Sequence, residues 1–224
     1  MATKLKMLCL HGVYSNNDIT AMQTVGLKLG DKVECVYLHA PHVTRGCYPG
    51  VDAFSGGPWY AWCDPTKSLE EQEDQWEESL EYIAKYCKEN GPFEGGVYGF
   101  SQGASIITNF SHPEIWKDKF KLKRCPWKFA ILACGGSSHN ITIPRGTIID
   151  MPSFAIFGKK DRHLNDGKII SQYWEPSKRV SHTHGRGHEI DMQMFAREKE
   201  MMAKLNHFLD EHCGSKKGPF GIVG

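Results

Sequence analysis

The chain has 224 residues, 40% of them hydrophobic and 24% charged, and its 27 basic and 26 acidic side chains leave a formal charge of +1. That length, far above the roughly 70 to 80 residues below which a core needs staples, predicts one globular domain that needs no disulfide or metal to hold it. The near-cancelled charge argues against a nucleic-acid partner and against an acidic disordered chain, so a small-molecule partner is expected.

Eight cysteines are scattered without any C-x-x-C pair, which excludes a zinc ribbon and a thioredoxin-type motif. The first residues lack the apolar stretch of a signal peptide, and no apolar run approaches the roughly 18 residues of a membrane span. A cytoplasmic protein with free thiols and no membrane span is expected.

In chain order, short apolar runs alternate with longer polar or helix-periodic segments. The runs Met7 to Leu10, Val33 to Leu38, Gly96 to Phe100, Phe129 to Cys134, Phe154 to Phe157 and Lys178 to Ser181 read as strands. Their lack of alternation fits central parallel strands covered on both faces, and the order fits an α/β domain with helices on both sides of a mostly parallel sheet.

Between His42 and Lys67 lies a stretch rich in Gly, Pro and aromatics with no periodicity. A connection of that length is usually functional or disordered, and Phe54, Trp59, Tyr60 and Trp62 argue against disorder. A helix opens at Ser68, where Ser-Leu-Glu-Glu sets Glu71 for a capping box. Leu69, Trp76, Leu80, Ile83 and Cys87 follow at helical spacing, and Asn90-Gly91-Pro92 stops it.

A second long helix is expected from about Asp191 to Glu211, with Met194, Met201, Leu205, Phe208 and Leu209 as a core-facing stripe. Residues 1–213 read as the domain and 214–224 as a flexible C-terminal tail.

Gly99-Phe100-Ser101-Gln102-Gly103 matches G-x-S-x-G between an apolar run and a helix-like segment. That setting fits a nucleophile elbow, where the glycines allow the tight turn that lifts a serine hydroxyl above the sheet edge. No phosphate-loop pattern competes with it. A serine nucleophile needs a base and an acid that orients the base.

The acid is sought at the carboxyl end of a later strand, where Asp161 follows Phe154 to Gly158 and Asp166 competes with it. The base is sought among His182, His184 and His188, with His188 just ahead of the terminal helix. The same three histidines in an H-x-H-x-x-x-H array offer a rival metal reading, which no partner motif supports. For the oxyanion, the Gln102 amide supplies one donor and the loop after the first strand the other, Val13 first and Tyr14 next.

Cys9-Leu-His-Gly, Leu38-His-Ala-Pro-His, Gly91-Pro-Phe-Glu-Gly-Gly-Val-Tyr-Gly-Phe-Ser-Gln-Gly-Ala, Phe157-Gly-Lys-Lys-Asp and His184-Gly-Arg-Gly-His resemble the family of serine hydrolases (FSH) that includes the ovarian-cancer-associated serine hydrolase. The resemblance covers residues 4 to 212. It implies a compact α/β-hydrolase fold with little or no separate cap, Ser101 as nucleophile, Asp161 as acid and His188 as base. The activity it implies is that of a carboxylesterase without a cofactor or metal, acting on a small-molecule acyl ester.

Tyr14, Trp59, Tyr60 and Trp62 are expected to wall the acyl pocket, since aromatics supply apolar surface. The expected reaction is hydrolysis of esters of small or medium acyl chains through an acyl-enzyme. An acyl thioesterase or lysophospholipase using the same residues is the alternative, and a binding protein on a hydrolase scaffold is the reading from another class.

Overall fold

The computed structural model describes residues 3–213; the expected tail at 214–224 lies outside the described residues. The first strand, β1 (Lys6–Leu10), lies beside β2 (Glu34–Leu38) on one side and β5 (Val97–Phe100) on the other. The sheet continues through β6 (Ala130–Ala133), β7 (Ser153–Gly158) and β8 (Arg179–His184), giving the order β2-β1-β5-β6-β7-β8. Every adjacent pair in it is parallel.

Alternate side chains of each strand enter two separate cores. Leu8 and Leu10 join α2 (Leu69–Asn90), α3 (Gln102–Ser111) and α4 (Leu164–Gln172) on one face, with Trp62, Trp127 and Trp174 fully covered. Met7 and Cys9 join α6 (Lys199–Cys213) on the other, where Met201, Leu205, Phe208 and Leu209 are buried. This two-sided cover is why the strands read as continuous apolar runs rather than alternating ones.

Helix boundaries follow local chemistry. Ser68 accepts from the Glu71 amide while Glu71 reaches back to the Ser68 amide, the reciprocal cap anticipated from the sequence. Asn16 caps α1 (Asn17–Gly26) by accepting from the Ile19 amide.

Two expectations are corrected. The terminal helix is not continuous from Asp191: Asp191 accepts from the Gln193 amide at 2.8 Å, a turn that competes with helix. A short α5 (Met194–Arg197) follows, and Glu198, at ψ 63°, breaks it from α6. The stretch from His42 to Lys67, read as aperiodic, holds an antiparallel pair, β3 (His42–Thr44) and β4 (Trp59–Ala61).

Connectivity reverses direction at β1. The chain moves outward to β2 and then returns to place β5 on the opposite side of β1. Open parallel sheets bind ligands in the crevice outside the carboxyl ends of strands at such a point. The described residues include no helix long and apolar enough to cross a membrane.

Candidate active site

Ser101 sits at that crevice, between the end of β5 and the start of α3. Its backbone takes φ 53° and ψ −118°, a conformation that L residues rarely adopt. The turn is closed enough that a Cβ on Gly103 would stand 2.6 Å from the Leu10 carbonyl oxygen. Glycine at this position therefore lets α3 approach the end of β1, which explains one of the motif's two glycines by contact rather than by pattern.

Two further loops converge on Ser101. After β7 and β8 the backbones stay paired beyond the strands: the Lys159 amide donates to the His184 carbonyl, and the Lys160 amide to the Arg186 carbonyl, both at 2.8 Å. A Cβ on Gly158 would lie 2.1 Å from the Gly187 carbonyl oxygen, so glycine permits this close apposition. The paired loops deliver Asp161 and His188 to each other.

His188 Nδ1 donates to Asp161 Oδ2 at 2.8 Å, and His188 Nε2 stands 2.9 Å from Ser101 Oγ. With Nδ1 carrying the proton toward the carboxylate, Nε2 is the acceptor facing the serine hydroxyl. Burial pushes the Asp161 carboxyl up, but hydrogen bonds from His188 and from the His163 amide, 2.7 Å from Oδ1, outweigh it and hold the group below its ordinary value. The Asp161 side chain is 1% exposed.

The competitor Asp166 lies on α4 and serves other partners, accepting from the Ser138 amide and hydroxyl and facing His163 Nδ1 at 3.3 Å. The histidine array is likewise divided. His182 faces Glu198 at 3.5 Å, and the buried His184 accepts from the Arg186 amide. Among the described residues no three His, Cys, Asp or Glu side chains are grouped to hold a metal ion.

A cavity of about 680 Å³ opens on Ser101 and His188. Its walls include Val13, Ile19, Met22, Phe54, Ile190 and Met192. Val13 and Gly12 border it, and Gly12 packs so close that a Cβ there would lie 3.1 Å from the Ser101 Cβ. The Gln102 amide opens α3, where first-turn N–H groups have no intrahelical acceptor.

The aromatics expected around this cavity lie elsewhere, because their other bonds orient them. Trp62 is fully buried, its indole donating to the His11 carbonyl at 2.8 Å. Tyr60 packs against His39 with ring centroids 4.5 Å apart, and its backbone pairs with Ser15. Tyr14 turns its hydroxyl to Asp64 at 2.8 Å. Trp59 packs beside Gly57.

From the same stretch it is Tyr48, Val51 and Phe54 that reach the cavity. Ile19 and Met22 on α1, and Ile190 and Met192 just after His188, complete the wall. Ile190 and Met192 carried one signal, apolar side chains just after His188, and Ile19 and Met22 carried none.

Sequence reasoning also missed the Gln102 side chain. Its Oε1 accepts from the Trp62 and Cys63 amides at 2.9 and 3.3 Å, and its Nε2 donates to the Cys63 carbonyl at 2.8 Å. A side-chain amide thereby stands in for a strand and ties the segment after β4 to the Ser101 turn.

Comparison with known proteins follows the same lines. Among curated relatives, esterase FPY3 of Fusarium mangiferae is 32% identical over 213 residues, covering 83% of this chain and 88% of the relative. Esterase OVCA2 of Danio rerio is 28% identical over 183 residues, covering 72% and 79%. Solved structures with the same fold include TT1662 from Thermus thermophilus, with a TM-score of 0.57 at 15% identity over 94% of this chain and 91% of that one.

Esterase PE8 has a TM-score of 0.52 at 18% identity, over 92% of this chain and 94% of its own. These likenesses agree on an α/β-hydrolase fold. The model of the serine hydrolase (FSH1) family matches residues 1–198, and the chain belongs to that family.

Proposed function

We propose that this esterase-type hydrolase cleaves carboxylic esters of small or medium acyl chains through an acyl-enzyme on Ser101. The observation that carries this reading is the hydrogen-bonded series from Asp161 through His188 to Ser101, opening on the 680 Å³ cavity. Ser101 Oγ attacks the ester carbonyl carbon as His188 Nε2 takes its proton. His188 then passes that proton to the leaving alcohol, and a water activated by the same nitrogen releases the acid.

Asp161 holds the His188 tautomer and stabilises the imidazolium that forms. The amides of Gln102 and Val13 bind the oxyanion, acting in a site partly screened from water where such donors are strongest. The apolar wall formed by α1 and the residues after His188 accepts the acyl chain.

The test is labelling with a fluorophosphonate, followed by hydrolysis of p-nitrophenyl esters from acetate to octanoate. Wild type should label and Ser101→Ala should not, with turnover falling at least about a thousandfold. Labelling that survives in Ser101→Ala would sink the nucleophile assignment. Uniformly faster turnover of thioesters would move the substrate class to thioesters with the same residues.

A further inference from the structure

Phe100, Tyr48 and His163 set their rings beside His188, and none of the three has a part in the scheme above. The ring centroids of Tyr48 and His163 lie 6.0 and 5.0 Å from that of His188. Arg162 bridges them. Its guanidinium carbon stands 5.2 Å from the Tyr48 ring centroid, and its Nε donates to His163 Nε2 at 3.1 Å.

His163 is fixed in turn, for its Nδ1 donates to Asp166 Oδ2 at 3.3 Å while Asp166 accepts from the Ser138 amide and hydroxyl. Donating at Nδ1 and accepting at Nε2 makes His163 the neutral tautomer. A string of polar bonds from Ser138 through Asp166 and His163 thus ends in a cation held against Tyr48, whose ring borders the cavity.

That cation is not taken up by an ion pair within the chain's described residues, unlike two other arginines. Arg186 and Arg197 on the same side of the site are paired with Glu189 and Asp191, whereas among the described residues no carboxylate lies within 4 Å of Arg162. With Nε engaged by His163, the two terminal nitrogens are left side by side, an edge that matches the two oxygens of a carboxylate. The Tyr48 face and the His163 bond limit the motion of a side chain that is otherwise exposed.

Position determines which part of a substrate meets it. His188 must hand its proton to the leaving oxygen, which brings the alcohol portion within hydrogen-bond reach of Nε2. His163 and Arg162 stand beside His188 but outside the lining of the cavity, and so face the alcohol portion, while the cavity wall of Val13, Ile19, Met22 and Phe54 faces the acyl portion. Resting on the esterase reading above, we propose that Arg162 is a specificity-determining residue that recognises a carboxylate carried on the alcohol portion of the ester.

The experiment compares 4-acetoxybenzoate with its neutral isostere 4-acetoxybenzamide. In wild type the ratio of kcat/KM, acid over amide, should be about fivefold, in line with a partly exposed ion pair, and should shrink as salt is raised. In Arg162→Gln the ratio should fall to about one, and Arg162→Lys should restore part of it. A wild-type ratio near one, or a ratio unchanged by Arg162→Gln, overturns the assignment.

Should neither ester be hydrolysed, the esterase reading fails by itself. The recognition is then read from binding, by titrating the protein with 4-hydroxybenzoate and 4-hydroxybenzamide. Tighter binding of the acid that depends on Arg162 supports the proposal, and equal affinity refutes it.

Discussion

Asp161 and Asp166 stand five residues apart at the same end of the sheet, and their surroundings divide the work between them. Asp161 lies in a loop zipped by backbone bonds to the loop of His188, while Asp166 is already part of α4 and faces Ser138 and His163. Asp161→Asn should lower kcat on a short p-nitrophenyl ester by about 10³ to 10⁴, because the imidazole loses the partner that fixes its tautomer. Asp166→Asn should cost less than about tenfold in the same assay. Sequence order named Asp161 as the acid with Asp166 as its competitor but could not show the contact that separates them, since the pairing of two loops is a property of tertiary contact. Ser101 was legible because its pattern sits in a strand-turn-helix setting, and the cavity wall was not, because an aperiodic segment gives no direction to its aromatics.

A different residue contributes to acid stability. His11, fully buried, donates from Nδ1 to the Gly12 carbonyl at 2.7 Å and accepts the Ala40 amide at Nε2 at 2.9 Å. Burial pushes its pKa down from 6.5 to about 4. Between those values the unfolded chain binds a proton that the folded chain refuses, so stability rises with pH across this window and falls on acidification. The full loss is about 3 kcal/mol. Chemical denaturation of wild type and His11→Gln from pH 7 to pH 4 checks it: the variant should lose less stability over that range, by roughly the contribution of one proton.

Among the secondary elements, the sequence was most informative where local chemistry decides. The Ser68 cap and the first five sheet strands lie where capping and apolar runs put them, while β8 runs on past Ser181 to His184, because its pairing with β7 continues beyond the apolar run. It was least informative where a side chain competes with the backbone, as at Asp191, whose turn shortens the terminal helix although the apolar spacing runs on unbroken. Gln102 shows the same competition put to use, since its amide group bonds the backbone at Trp62 and Cys63 across 39 or 40 positions of sequence. Gln102→Ala would leave two buried N–H groups and one carbonyl without partners. A destabilisation of about 2 to 4 kcal/mol is expected, read from the urea midpoint at constant m value. The main-chain amide at position 102 would remain, so activity of the folded fraction should fall far less than in Ser101→Ala.

For the molecule as a whole, the sheet order explains why residues 101, 161 and 188, distant in sequence, meet at one edge: each follows a strand whose carboxyl end points the same way. Parallel order was readable from the alternation of apolar and helical segments. The reversal at β1 was not, because strand neighbours are chosen by packing across both cores. The Ser101 backbone also bears on the stability of the entire fold, for a non-glycine residue held at φ 53° costs roughly 1 to 3 kcal/mol. Ser101→Gly should relieve that cost, less the backbone entropy glycine adds to the unfolded chain. It should melt about 2 to 4 °C above Ser101→Ala, which keeps the strain, as measured by calorimetry. The hydroxyl is thus held at the expense of thermal endurance. On the proposal that Ser101 is the nucleophile, a descendant released from selection for turnover would gain robustness by the same replacement that removes the hydroxyl.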